Sequence, residues 1–303
     1  MRKVLITGIT GFLGSHIAEK LIDEEGVQII GVCRESSSLW RCSSFKNRIK
    51  WITIKESSEW EKEIEMSAPQ TVIHCAWTGV QAEDRINWNA QKDNIDFFIS
   101  LLDACNKINL AQFIFLGSQA EYGTFSGSIK ESFPVNPSSA YSYAKLSCLQ
   151  ILETFAKRYN FSWLWLRVFS VFGEREGENW LLPSLVRRME SELEMNLTQG
   201  DQQYAYLYVK DFAQIVSQLI QKGVDSGIYN LSSNVVISIK ELVMKVRDRV
   251  NPNFQLNFGR IPFRNGQTMY MEGDIEKLQG QIGPIVFSDF DLVLEDTINY
   301  YLK

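Results

Sequence analysis

Lys3-Val4-Leu5-Ile6-Thr7-Gly8-Ile9-Thr10-Gly11-Phe12-Leu13-Gly14 decides how this chain folds. Val4, Leu5 and Ile6 form a short apolar run, glycines follow at 8, 11 and 14, and an amphipathic segment continues from Phe12 through Ile22. The pattern predicts strand, tight turn and helix. Such a unit lets backbone approach a diphosphate, with helix N–H groups and the positive end of the helix dipole facing the anion. Glycine is required where a Cβ would block the turn or the ligand. Three glycines in a loop are common; their place directly after a strand, opening a helix, gives them meaning.

The 303 residues allow about two domains, and a 45% hydrophobic content suffices for a buried core. A net charge of −5 offers no basic field, so neither nucleic acid nor a membrane surface is an expected partner. The five cysteines, Cys33, Cys42, Cys75, Cys105 and Cys148, are scattered singly and read as reduced thiols. His16 and His74 have no partners at ligand spacing, so no metal site is expected. Arg2 and Lys3 precede an apolar run that breaks at Gly8 with no cleavage site, and no segment is long enough to span a bilayer. A cytoplasmic location is the expectation.

Strands are predicted at Val27–Cys33, Ile49–Ile54, Thr71–Cys75, Phe113–Leu116, Ser162–Val168 and Gly227–Leu231. Helical periods run over Ile95–Ile108, from Tyr141 through Tyr159, over Leu181–Met189, over Phe212–Gln221 and up to Val250. Strands alternating with helices imply an α/β fold, a doubly wound parallel sheet with right-handed crossovers. Tyr141 and Lys145 are one helical turn apart and share a face. A tyrosine of ordinary pKa is a poor acid–base catalyst at neutral pH, and an ammonium one turn away would stabilise its phenolate and bring that pKa down.

The GxxGxxG spacing, His74-Cys75-Ala76-Trp77, Ser118 after the fifth strand and the Tyr141/Lys145 pair together resemble the extended short-chain dehydrogenase/reductase family, also called NAD-dependent epimerases/dehydratases. The resemblance covers essentially the whole chain, closely up to Gly173 and loosely beyond. It implies a Rossmann-type NAD(P)-binding domain, residues 1–172 plus about 206–234, and a smaller C-terminal substrate-binding lobe, about 173–205 and 235–303. It assigns cofactor contacts to Gly8, Thr10, Gly11, Phe12, Leu13, Gly14, Arg34, Ala76, Tyr141 and Lys145, and catalysis to Ser118, Tyr141 and Lys145. Substrate contacts fall on Ser118, Trp77, Tyr204 and Arg264. Arg264 opens the stretch Arg264-Asn265-Gly266-Gln267, which resembles one whose arginine reaches a sugar-nucleotide diphosphate; a surface arginine is the plain alternative. Trp77 replaces a usual small residue, and shaping the cleft or packing at the surface are both open to it. Asn94 either holds the central helices and active-site loop or caps its helix. Asp211 reads as a helix cap, and His74 as structural.

Where such folds place the acid that bonds the ribose of NAD, this chain has Cys33 followed by Arg34, so NADP(H) is preferred, with NAD(H) as the alternative; a solvated loop arginine, its charge partly cancelled by Glu35, is the plain reading of Arg34. Gln119 and Ala120 stand where the family's dehydratases carry Asp-Glu, which disfavours dehydration. Ser170 and Glu174 depart from the family's asparagine and proline, and Tyr204-Ala205 from its Arg-Asp. The resemblance is strongest to a branch of 4-ketoreductases that includes CDP-abequose and CDP-paratose synthases. The expected activity is NADPH-dependent reduction of the C4 ketone of a nucleotide-activated 4-keto-6-deoxy sugar, in a homodimer joined through the helices near Asn94 and Tyr141. A nucleotide-sugar 4-epimerase retaining NAD is the second reading. A cofactor-sensing binding protein without catalysis is a third, opposed by the intact serine, tyrosine and lysine.

Overall fold

The opening stretch becomes strand β1 (Arg2–Thr7) and helix α1 (Phe12–Ile22) in the computed structural model, which describes residues 1–55, 59–264 and 266–303. Asn265, within the stretch that begins at Arg264, lies outside the described residues. The chain continues through β2 (Val27–Arg34), β3 (Lys50–Ile54), α2 (Glu59–Ser67), β4 (Thr71–His74), α3 (Trp88–Cys105), β5 (Gln112–Ser118), β6 (Gly127–Ile129) and α4 (Ala140–Tyr159). Then come β7 (Ser162–Val168), β8 (Ser170–Phe172), α5 (Leu181–Ser191), β9 (Glu194–Asn196), β10 (Gln203–Tyr208), α6 (Val209–Lys222) and β11 (Gly227–Leu231). It ends with β12 (Val236–Ser238), α7 (Ile239–Val250), β13 (Gln255–Asn257), β14 (Tyr270–Gly273), α8 (Glu276–Ile282) and α9 (Phe290–Tyr301).

Seven strands form one sheet in the order β11-β7-β5-β4-β1-β2-β3, every neighbouring pair parallel. Their continuous apolar runs are explained by burial on both faces. Val4, Ile6, Ile73, Ile114, Leu164 and Leu166 pack on one side with Ile17 and Leu21 of α1 and Phe212, Val216 and Leu219 of α6. Leu5, Val72, Phe113, Phe115 and Trp165 pack on the other with α2, α3 and α4. Each such side chain contributes about 1.5–3 kcal/mol by leaving water. The strand order reverses beside β1, between β2 and β4, and a crevice opens there at the strand C-termini.

The late elements build smaller sheets. β12, β10, β14 and β6 lie side by side, β8 adds to β10, and β9 pairs with β13. A third apolar cluster joins Leu182, Leu185 and Met189 of α5, Leu242, Val243 and Val246 of α7, and Leu294 and Ile298 of α9.

Two helix starts correct the sequence reading. α3 begins at Trp88, not near Asn94, because the Asn87 side chain accepts from the N–H groups of Asn89 and Ala90. Asn94 is thus inside the helix, and it pins the loop after β4: Oδ1 accepts from the Thr78 N–H at 2.8 Å and Nδ2 donates to the Thr78 carbonyl at 3.0 Å. α6 begins at Val209, so Asp211 is not its cap; its carboxylate accepts from the Ser288 N–H (2.9 Å) and hydroxyl (2.7 Å).

Candidate active site

The glycine turn is built for close approach. Gly8 has φ +66°, and a Cβ there would lie 2.5 Å from the Ala76 nitrogen; one on Gly14 would lie 2.3 Å from the Gly8 carbonyl oxygen. The Gly11 N–H closes the turn onto the Gly8 carbonyl at 2.9 Å. Phe12 and Leu13 open α1, which has no side-chain cap and no acid in its first turn, so its leading N–H groups are left for an anion. Facing this turn is a cavity of about 380 Å³, lined by Thr7, Gly8, Thr10 and Gly11 on one side, Cys33, Arg34 and Ser37 on another, and Ala76, Trp77, Thr78 and Asn94 on a third. The Arg34 N–H donates to the Ser37 hydroxyl at 3.1 Å, which draws both residues to one rim. A backbone cradle that any Cβ would fill, with a cation at the far edge, fits an extended diphosphate such as a dinucleotide.

β5 ends at Ser118, whose hydroxyl accepts from the Ala120 N–H at 3.2 Å. The Ser139 side chain caps α4 and so starts it one residue before Tyr141. Tyr141 is 7% exposed. Burial pushes its phenol above the usual value, opposed by a hydrogen bond with Ser118 and by the charge of Arg85. Burial outweighs the lowering expected from Lys145. Lys145 sits among several partners: Nζ donates to the Leu116 carbonyl at 2.9 Å and lies 3.7 Å from the centre of the Trp77 ring and 5.8 Å from that of the Tyr141 ring. Burial takes the Lys145 ammonium down to about 7.

Trp77 is therefore an internal contact, edge-on to Tyr141 with ring centres 6.0 Å apart and beneath the lysine. Its indole N–H donates to Gln91 Oε1 at 2.8 Å, and Gln91 Nε2 donates to the Gly79 carbonyl at 2.8 Å. His74 is structural as read: Nδ1 pairs with the Thr7 hydroxyl at 2.8 Å, Phe98 and Phe115 flank the ring, and burial holds it far below its ordinary pKa. Tyr204 and Arg264 are neighbours of each other. The Tyr204 hydroxyl donates to the Thr268 carbonyl at 2.8 Å, its ring packs with Tyr122, Phe125 and Phe169, and the exposed Arg264 is the nearby charge on its phenol.

Sequence reasoning passed over Glu121 and Arg85. Glu121 is fully buried; it accepts from the Ser118 N–H (2.8 Å), from the Trp165 indole (2.9 Å) and from Arg167 Nε (2.8 Å). This holds the backbone of Ser118 from below and leaves the carboxylate no freedom for chemistry. Arg85 places its guanidinium carbon 4.9 Å from the Tyr141 ring centre. Its only signal in the sequence is a cation in the polar stretch before α3. Among the described residues no group of histidine, cysteine or carboxylate side chains could hold a metal, and no helix is long and apolar enough to cross a membrane.

A family model for the NAD dependent epimerase/dehydratase family matches residues 4–232. The chain belongs to that family. Among its relatives, the dTDP-4-dehydro-6-deoxyglucose reductase of Escherichia coli is 24% identical, the alignment covering 99% of this chain and 96% of the relative. CDP-abequose synthase of Salmonella muenchen is 21% identical over 88% and 87%. The solved UDP-glucose 4-epimerase of Thermotoga maritima, with UDP-glucose, superimposes with a TM-score of 0.85 at 25% identity, covering 99% of this chain and 98% of that one. Reductase and epimerase thus both occur among the family members similar to this chain.

Proposed function

We propose that this family member is an NADPH-dependent reductase of the C4 ketone of a nucleotide-activated 4-keto-6-deoxy sugar. The carrying observation is the end of β2: Cys33 and Arg34 line the cavity beside Ser37 where an NAD-binding chain would carry an acid, and Glu35 follows outside that lining. A guanidinium and a hydroxyl there suit the 2′-phosphate of NADP, whereas NAD calls for a carboxylate. Gly8, Thr10, Gly11, Phe12, Leu13, Gly14 and Ala76 would hold the diphosphate and neighbouring ribose, and Tyr141 with Lys145 the nicotinamide end. A bound nicotinamide supplies the hydride. The Ser118 hydroxyl orients the ketone oxygen, and Tyr141 gives its phenolic proton to the alkoxide that forms. Burial keeps Tyr141 protonated at neutral pH, the form that reduction needs. Residues 173–205 and 235–303 are read as the substrate lobe, with Tyr204 and Arg264 toward the sugar nucleotide.

The test is cofactor consumption by the purified protein, NADPH against NADH, with 4-keto-6-deoxy sugars on UDP, dTDP, CDP and GDP. Stoichiometric NADPH oxidation with one of them is expected. No oxidation, with NAD released on denaturation, would instead favour the 4-epimerase, the reading supported by the likeness to the Thermotoga enzyme. Arg34→Ala is expected to weaken NADPH by about 10- to 100-fold, the loss of one charge-assisted phosphate contact, while leaving NADH nearly unchanged. Equal losses for the two cofactors would remove the 2′-phosphate assignment. We further propose a homodimer through α3 and α4, where Trp88 and Tyr143 are 60% and 47% exposed with ring centres 6.0 Å apart. Sedimentation should give a dimer, and a monomer at working concentration refutes it.

A further inference from the structure

We propose that a second cavity, walled by α1, the 3-10 turn Trp40–Cys42, the loop after β8, the start of α6 and the end of α9, binds a nucleoside phosphate. It measures about 750 Å³, within the range of small-molecule sites, and shares no lining residue with the dinucleotide cavity. Its charges are unevenly answered. Each acid on the wall already has a cation: Glu19 pairs with Arg175, Glu174 with Lys210 at 2.7 Å, and Asp23 with Arg48 at 2.7 Å. Lys20 and Arg41, also on the wall, pair with no carboxylate among the described residues.

Arg41 is fixed in place all the same. Its Nε donates to the Arg175 carbonyl at 2.7 Å, and Arg175 Nη1 returns a bond to the Arg41 carbonyl at 2.8 Å. This clasp keeps Arg175 in the left-handed region, φ +64°, a conformation that is costly for a residue other than glycine. Burial works against the Arg41 charge, and an anion in the cavity would offset that cost. The rest of the wall suits the rest of a nucleotide. Trp40 and Tyr300, 47% and 37% exposed, offer aromatic surface to a base. His16 lines the same cavity and is 2% exposed; its Nδ1 donates to the Phe12 carbonyl at 2.9 Å, and its Nε2 is buried without a partner. Burial takes the ring down to about 4, so at neutral pH Nε2 is a bare lone pair that calls for a donor. A fully ionised phosphate has no hydrogen to give. A ribose hydroxyl or a base amine does, which points to a nucleoside phosphate rather than the inorganic ion.

The test is calorimetric titration of the dinucleotide-saturated protein with ADP, CDP, GDP and UDP, in the original chain and in Arg264→Ala, so that neither the dinucleotide cavity nor the proposed sugar-nucleotide contact supplies the signal. Saturable binding of at least one nucleotide is expected in both. Lys20→Gln and Arg41→Gln should each weaken it by about 10- to 100-fold, the loss of one charge-assisted contact. Trp40→Ala should weaken it by about 5- to 100-fold, the loss of a stacked base. Turnover should be unchanged in Lys20→Gln and Trp40→Ala. These two alter partly exposed side chains, so they keep the test decisive should Arg41→Gln fail to fold. With only two histidines in the chain, the Nε2 nitrogen resonance of His16 can also be followed, and it should shift with the nucleotide but not with inorganic phosphate. No binding, binding lost in Arg264→Ala, or binding of original strength in both Lys20→Gln and Trp40→Ala overturns the proposal and leaves the reductase reading untouched.

Discussion

Replacing Tyr141 by Phe is expected to lower kcat by about 10²–10⁴-fold, the usual worth of a positioned general acid, while leaving NADPH binding within about twofold. The change deletes one hydroxyl from a ring that stays packed edge-on against Trp77, so folding should survive. It removes the proton that must reach the carbonyl oxygen. Two measurements decide the matter: single-turnover oxidation of NADPH, which should become slow, and fluorescence titration of NADPH, which should not change. A variant that turns over at the original rate would mean that another group or water protonates the alkoxide. The pH sign follows from burial. Because the phenol is pushed above its ordinary value, it is protonated at neutral pH. Reduction should hold through neutrality and fall as pH rises through the tyrosine pKa, whereas oxidation of the product alcohol, needing phenolate, should rise over the same range.

Glu121→Ala should cost about 3–5 kcal/mol of stability, because it strands Arg167 as an unpaired buried charge. The pair is closed at 2.8 Å with side-chain exposures of 2% and 0%. Arg167 keeps the Tyr122 ring, 4.3 Å from its guanidinium carbon, and a long 3.4 Å bond to the Glu131 carbonyl, which soften but do not replace the carboxylate. The Ser118 N–H and the Trp165 indole lose their acceptor in the same stroke. Urea unfolding followed by circular dichroism reads the loss as a lower midpoint. Arg167→Met combined with Glu121→Leu should recover much of it, since two apolar side chains leave no charge behind. A single variant as stable as the original would show that the pair contributes only geometry.

The sheet was legible because its strands are mostly apolar runs, and β1, β7 and β11 lie where those runs lie. The glycine turn was legible for a different reason: Gly8 and Gly14 are positions where any Cβ collides with backbone, so spacing there records geometry. The start of α3 was hidden because Asn87, Asn89 and Gln91 read as polar loop until Asn87 is seen to cap. What spacing could not convey is contact between elements. Tyr141 and Lys145 do share a helix face, yet a Trp77 ring arriving from the loop after β4 takes the ammonium. Likewise Glu121 and Arg167 meet only because β5 and β7 pair with Gly117 opposite Arg167, a register no single stretch encodes.

The short strand β6 has one ladder neighbour among the described residues, β14, with Gly127 opposite Met271. It sits in the connection that links Ser118 to Tyr141, so the span between those two residues is braced by chain that leaves the ribosome much later. Pairing across so long a loop is slow to form. The parallel sheet can close around its first five strands and wait. A nascent or prematurely stopped chain lacking Tyr270–Gly273 would then hold the glycine turn while its serine-to-tyrosine span kept its bonds to Asn230 but lacked its strand partner, making the site one of the last features to mature during synthesis.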